Sequence, residues 1–571
     1  MSFLYFVILI GVLIFVHEFG HFIVAKFFDV KVLRFSIGFG PAFWSYQGEE
    51  TEYVVCILPL GGYVQMQGSD LESTEAMPEE EQKRSLMAKP IWQRSLIVLA
   101  GPAANMILPV VIYFGFALFQ VTTPAPIVGQ VHADGPAAEI GMQPGDMITG
   151  IDEDSVQYWY QAQRTLSASY ERELTLTWER DGETHSAAVT PEKHTSTDFL
   201  GLIQEVRGLI GIQLGSYGPT VALADRDGAA ARDGLHFFDH VIAIDGESID
   251  RFDQIKTKVQ QSGGEPMEFI VLSRSEIPVE YADLYHQDAR RVTVTPNEVD
   301  GEYTLGIEEA QMYLTRVDEE TAASEAGLKP GDKIVALDGR AYTSWSMFTE
   351  RIQNQVNEKI VERDEAGEDY DIEPSFELEF ERAGERHTVT YKPKVLTYKD
   401  ETQQTHYRIE HGWDNFGDFV SPEEVNHPLG DRLIYATRLG VEQTWEYTHM
   451  MMVGLVRLAQ GRIATESIGG PIMIGELAAE AGHAGIEPFL RMLALISINL
   501  AIINMLPIPV LDGGRLLMYA LEAIKRGPIS FRTRQIATYI GIALILLLMV
   551  YAFKNDIERN WYRVVEIFET E

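Results

Sequence analysis

Apolar residues are gathered in long runs near the two ends of the chain and enclose a polar middle. A membrane-spanning helix needs about 20 mostly apolar residues. Phe3 to Phe28, Ser95 to Val121 and Ala537 to Phe553 supply them or come close. A fourth run, Phe489 to Val510, is broken by Asn499, Asn504, Pro507 and Pro509, which predicts a span whose second half is unwound and extended. Lys26, Lys31 and Arg34 follow the first run, Lys83, Arg84, Lys89 and Arg94 precede the second, and Arg515, Lys525, Arg526, Arg532 and Arg534 separate the last two. Basic residues mark the cytoplasmic side, so both termini and the polar middle are expected to face outward. The first run does not read as a cleaved signal peptide. No basic segment precedes it, no small-residue cleavage site follows it, and ionisable residues sit inside it.

Between Phe35 and Gly68 apolar positions alternate with polar or aromatic ones around Gly38, Gly40, Gly61 and Gly62, which predicts strands joined by turns. From Leu429 to Leu458 apolar residues recur at helical spacing amid Trp445, Tyr447 and Met450 to Met452. An amphipathic helix is expected there, lying on the membrane surface or packed on the outer region.

The polar middle repeats itself. Ala133 to Val156, Ala224 to Ile249 and Val317 to Tyr342 match one another, and their Gly141, Gly234 and Gly327 are 93 residues apart in both intervals. Each segment reads as a short Ala-rich helix, a turn, an apolar strand such as Lys333 to Leu337, and a tight Asp-Gly turn. The pattern resembles the circularly permuted PDZ domains of bacteria. In that family a Leu-Gly-Ile-like strand forms the groove for a peptide C-terminus. Ile210-Gly211-Ile212 and Leu305-Gly306-Ile307 match it, whereas Tyr407-Arg408-Ile409 stands in the third repeat without the glycine. The resemblance implies strand addition by peptides at Gly211, Ile212, Gly306 and Ile307. The modules can equally act as spacers or a size filter.

Composition narrows the chemistry. With 84 acidic and 46 basic residues the net charge is -38, which argues against nucleic acid as a partner. Cys56 is the sole cysteine, so a metal would have to be held by His and carboxylates. His17-Glu18-Phe19-Gly20-His21 places two imidazoles on one helix face with a carboxylate beside them, the pattern of a zinc site with its general base. Ionisable side chains in hydrocarbon are costly unless they pair or face a polar cavity. A catalytic zinc wants a third protein ligand. Asp512, in the run Asn504 to Gly514, is the carboxylate placed at membrane depth, although it could also cap the helix that follows. Asn105 and Asn499 read as interhelical hydrogen bonders.

These residues, with Arg34 to Gly40, Leu58 to Val64, Ala100-Gly101-Pro102, Ser467 to Ile472 and Asn-x-x-Pro-x-Pro-x-Leu-Asp-Gly, resemble the site-two protease family of intramembrane zinc metalloproteases over nearly the whole chain. The likeness is greatest to its bacterial sigma-E-regulating branch. It implies one zinc ion held by His17, His21 and Asp512, Glu18 as base, and Asn504 positioning substrate or stabilising the reacting carbonyl. It further implies a membrane re-entrant β element whose Gly61, Gly62 and Tyr63, with Pro507 and Pro509, meet the substrate. The implied substrate is a single-pass membrane protein, an anti-sigma factor already cut outside the membrane, together with remnant signal peptides. The implied setting is the lipid bilayer of a bacterial inner membrane, with the modules and both termini periplasmic and the active site near the cytoplasmic side. Members of that branch usually carry two PDZ domains, and this sequence has three.

The expected fold is a multi-pass α-helical membrane protein of about four transmembrane helices, with a re-entrant β element and three tandem PDZ-like α+β domains. The expected order is a first helix at 1–30, a β region and cytoplasmic loop at 31–94 and a second helix at 95–121. PDZ-like domains at 126–216, 217–310 and 311–412 follow, then amphipathic helices at 425–487. A third span at 488–514, a cytoplasmic loop at 515–534, a fourth helix at 535–555 and a periplasmic tail at 556–571 complete it. A membrane-anchored adaptor with a structural metal is a rival reading, but it has no use for Glu18. A metal transporter is another, but no inverted repeat is visible.

Overall fold

The computed structural model describes residues 2–68, 78–132, 135–180, 182–197, 204–277, 284–366, 372–399, 405–416, 419–420, 422–460, 469–527 and 529–569. Ala133 and Asp134 of the first repeat, and Ser467 and Ile468, lie outside them. The chain forms two compact units, one of Met1–Val121, Lys399–Thr405 and His427–Glu571, the other of Thr122–Tyr398 and His406–Asn426.

The first unit is built on α1 (Ser2–Phe27), α2 (Ile91–Phe119), α3 (Leu429–Ala459), α4 (Pro471–Ala484), α5 (Ile486–Asn504), α6 (Asp512–Lys525) and α7 (Phe531–Glu569). Among the described residues, four helices are long and apolar enough to cross a membrane: Leu4–Phe27, Ile91–Phe119, Ile486–Asn504 and Arg532–Glu558. Leu9 and Leu13 of α1 pack on Phe489 and Leu493 of α5 and on Ala478 of α4. Small residues let the helices approach closely. A Cβ on Gly20 would lie 2.2 Å from the Ala100 carbonyl oxygen, so the backbones of α1 and α2 meet there.

Three features depart from the sequence expectations. The third span stops at Asn504, and residues 505–511 turn rather than extend: Ile508 N–H donates to Leu506 O at 2.7 Å and Leu511 N–H to Ile508 O at 2.8 Å. Pro507 and Pro509 have no N–H to continue a helix, and the freed carbonyls close turns instead. Helix α3 lies along α2, where a Cβ on Gly440 would come 2.7 Å from Val110 O and Tyr447 stacks on Tyr113 at 5.9 Å. Its face around Ala436, Gly440 and Thr444 thus has a helix partner, while Ile434, Val441 and Trp445 stay exposed. Finally, α7 continues through the supposed tail. The Asp556 carboxylate is fully buried and accepts the N–H groups of Gly470 and Ile472 at 2.9 Å, satisfying the start of α4.

Between α1 and α2, β1 (Val32–Gln47) and β2 (Glu52–Met66) each fold back on themselves. Val32 to Ile37 pairs with Met66 to Gly62, Trp44 to Gln47 pairs with Val55 to Glu52, and Arg34 to Ile37 also lies beside Glu52 to Val55. Phe43, Trp44, Tyr46 and Ile57 of this sheet are exposed.

The second unit contains three modules with one topology. Each has a four-stranded sheet whose second strand in sequence lies at the edge: 154–155, 147–151, 174–180 and 183–189 in the first, 247–248, 240–244, 267–277 and 284–294 in the second, and 340–341, 333–337, 376–382 and 385–391 in the third. Each has its own core, around Ile148 and Leu176, Val241 and Phe269, and Ile334 and Leu378. A buried aspartate braces each module. Asp146, Asp239 and Asp332 accept Arg180, Arg290 and Arg382 at 2.6 to 2.7 Å, and the N–H three residues upstream at 2.7 to 2.8 Å. The same arginines donate to the carbonyls of Gly141, Gly234 and Gly327, whose φ angles of 78°, 100° and 79° demand glycine. The helix of the third module, Trp345–Ala366, is longer than Trp159–Ser167 and Phe252–Gln261 of the others.

Candidate metal centre

His17 and His21 stand one turn apart on α1, and Asp512 opens α6 some 490 residues later. The irregular stretch before α6 is what aims Asp512. Gly513 and Gly514 lie under it so closely that a Cβ would fall 2.2 Å from Met505 O and 2.1 Å from Ile508 O. The N-cap of α6 is Leu511, with no side-chain capping bond, so the Asp512 carboxylate is not spent on the helix end. It turns to the histidines: Oδ2 is 3.2 Å from His17 Nε2 and 3.4 Å from His21 Nε2, and the two Nε2 atoms are 3.3 Å apart.

That triangle tests whether a metal fits. A tetrahedral ion with bonds of about 2.0–2.1 Å holds its ligand atoms roughly 3.3–3.4 Å apart. The three atoms are already at that spacing. His21 Nδ1 donates to Ile97 O at 2.8 Å, which leaves the Nε2 lone pair facing the triangle. His21 and Asp512 are buried, so the ligand set is largely dry. Glycine on α2 makes this possible, because a Cβ on Gly101 would lie 2.3 Å from His21 Nε2 and 2.9 Å from His17 Cε1.

Glu18 follows His17 on α1 and lies against the sheet. A Cβ on Gly62 would come 3.0 Å from Glu18 Cγ and 2.8 Å from Ser36 O, so the last strand of β2 runs beside this carboxylate. Gly61 has φ 91° and tolerates no Cβ against the Phe39 ring. Tyr63 stacks on Phe39 at 6.1 Å and accepts Arg34 Nη1 at 3.2 Å. Asn504 ends α5, half-buried, and Pro507 and Pro509 lie in the turns that follow.

Gly211, Ile212, Gly306 and Ile307 belong to the other unit. Gly211 and Gly306 have φ 78° and 74°, and their carbonyls accept His132 N–H at 2.8 Å and Asp225 N–H at 3.0 Å. In the third module this place is filled by His411-Gly412-Trp413, not by Tyr407-Arg408-Ile409. Gly412 has φ 74° and its carbonyl accepts Asp318 N–H at 2.9 Å. The glycine is therefore present in all three, and the misreading came from matching Leu-Gly-Ile by residue type when only the positive φ is required.

Residues 5–548 match Peptidase family M50. The chain belongs to that family. It is similar to the regulator of sigma-E protease RseP of Escherichia coli, 29% identical over 567 residues, covering 97% of this chain and 98% of that one. The RseP of Salmonella typhimurium is 28% identical over 564 residues, again covering 97% and 98%. A Neisseria meningitidis relative with a zinc metalloprotease designation is 27% identical over 559 residues, with the same coverage.

Sequence reasoning missed the carbonyl of Ile97, the close approach at Gly20 and Gly101, and a contact between Asn105 and His17. The signal was there in part: Gly101 and Asn105 are four residues apart and share one face of α2.

Proposed function

We propose that this M50 member is an intramembrane zinc metalloendopeptidase that cuts single-pass membrane proteins. The convergence of three ligand atoms at tetrahedral spacing carries the reading. His17, His21 and Asp512 would hold one zinc ion. When bound, zinc supplies Lewis acidity that polarises a peptide carbonyl and acidifies water. Glu18 takes the proton from the attacking water and delivers it to the departing amine. Asn504 is assigned the role of holding the strand or donating to the reacting carbonyl.

A helical substrate keeps its peptide bonds satisfied internally, so it must unwind before it is cut. The strand through Gly61, Gly62 and Tyr63, which runs beside Glu18, offers a sheet edge that stabilises the extended form. Pro507 and Pro509 are assigned to the same substrate path. The exposed aromatic residues of this sheet suit a re-entrant element in lipid. The three repeated modules are assigned as PDZ-like domains at 126–216, 217–310 and 311–412, facing the periplasm of a bacterial inner membrane. They bind peptide C-termini at Gly211, Ile212, Gly306 and Ile307 or screen substrates by size. The similarity to sigma-E-regulating proteases makes a pre-cut anti-sigma factor the substrate to try first, and remnant signal peptides the second.

The test is a cleavage assay with a tagged single-pass substrate, comparing the wild type with Glu18→Gln. General-base loss should cost roughly 10²–10⁴ in rate. Equal cleavage by both proteins would remove the assignment.

A further inference from the structure

Asn105 is fully buried in the middle of α2, and its side-chain nitrogen lies 3.2 Å from His17 Nδ1. Its Oδ1 is buried without a partner among the described residues. Its backbone carbonyl is separately engaged, accepting the Ser497 hydroxyl of α5 at 2.7 Å. Helix packing at this point is therefore served by the backbone, and the side chain is left for another task.

The chemistry of a histidine ligand says what that task is. An imidazole that binds a metal through Nε2 must carry its proton on Nδ1, and that proton needs an acceptor. His21 has one in the Ile97 carbonyl. The group nearest His17 Nδ1 is the Asn105 amide. An amide turned by 180° presents either its oxygen or its nitrogen to the same spot. With nitrogen toward His17, a donor meets Nδ1, the imidazole proton moves to Nε2, and the lone pair facing Asp512 and His21 is lost. With oxygen toward His17, Nδ1–H is accepted and Nε2 is free to ligate.

We infer that Asn105 is a positioning residue whose side-chain oxygen accepts the Nδ1 proton of His17 and so holds that imidazole in the ligating tautomer. The two histidines then have unlike supports. His21 is fixed by a main-chain carbonyl that no substitution removes, and His17 by a side chain that one substitution can. This rests on the proposed zinc site.

The experiment is zinc titration of the detergent-solubilised full-length chain against a chromophoric chelator, for wild type, Asn105→Leu and Asn105→Asp. Leucine fills a similar volume and removes the acceptor, whereas aspartate restores one. Loss of such an outer hydrogen bond costs roughly 10–100-fold in metal affinity. That loss is expected for Asn105→Leu, with Asn105→Asp returning to near the wild-type value. Wild-type affinity in Asn105→Leu would overturn the inference alone. An equal loss in both variants would also overturn it, because packing and not the acceptor would then matter. Failure of the wild-type chain to take up zinc would overturn the zinc site itself.

Discussion

The two units use buried polar groups in different ways. In the outer modules, Asp146, Asp239 and Asp332 are almost fully buried, and each is answered by an arginine and a backbone N–H in the same arrangement. In the helical unit, His17, His21 and Asp512 converge once, their three ligand atoms within 3.2 to 3.4 Å of one another. Beside them Asn105 Oδ1 has no partner among the described residues. Repetition with every bond satisfied is the mark of a brace. A single cluster whose bonding is incomplete within the protein marks a place for something bound.

The comparison breaks most visibly at the ligands. His21→Ala or Asp512→Ala should reduce bound zinc to background and abolish cleavage, as read by metal analysis and by the substrate assay. The next effect comes from crowding. Gly101→Val places carbon where His21 Nε2 and His17 Cε1 already are, so zinc affinity should fall and stability should drop by about 1–3 kcal/mol. Asp332→Ala should spare the zinc: it strands Arg382, which is partly exposed, and lowers the third module's unfolding free energy by about 2 kcal/mol while zinc content stays unchanged. A fall in zinc content there would blur the distinction between brace and site.

The smallest effect is a pH dependence confined to the modules. Burial pushes the imidazole of His411 down to about 4, and burial with the nearby Arg340 does the same to His132. From the ordinary value near 6.5 down to about 4, the unfolded chain takes up protons that the folded modules refuse. Their contribution is complete above pH 6.5 and is lost as pH falls toward 4. His411→Asn should flatten the third module's share of the decline in acid-unfolding scans.

Periodic signals were legible in the sequence. The apolar runs pointed to the four long apolar helices, with ends up to six residues off, and the 93-residue repeat announced three modules of one topology. What escaped was set by tertiary contact. Nothing local to Asp146 announces Arg180, and nothing local to Asp556 announces the open end of α4. The turns at 505–511 were misread as extended because proline forbids a helix without dictating what replaces it. Within the site, His17, His21 and Asp512 could be named from their chemistry. Asn105 could not be told from an ordinary interhelical amide until its distance to His17 was known.

The most direct test of the central claim is zinc X-ray absorption on the purified full-length chain, wild type and the His17→Ala/His21→Ala double variant. The account predicts one zinc per chain in the wild type, with two imidazole nitrogens and a carboxylate oxygen at about 2.0–2.2 Å, and no specific zinc in the double variant. Zinc bound with the same spectrum in the double variant, or a sulfur ligand from Cys56 in the wild type, would contradict it.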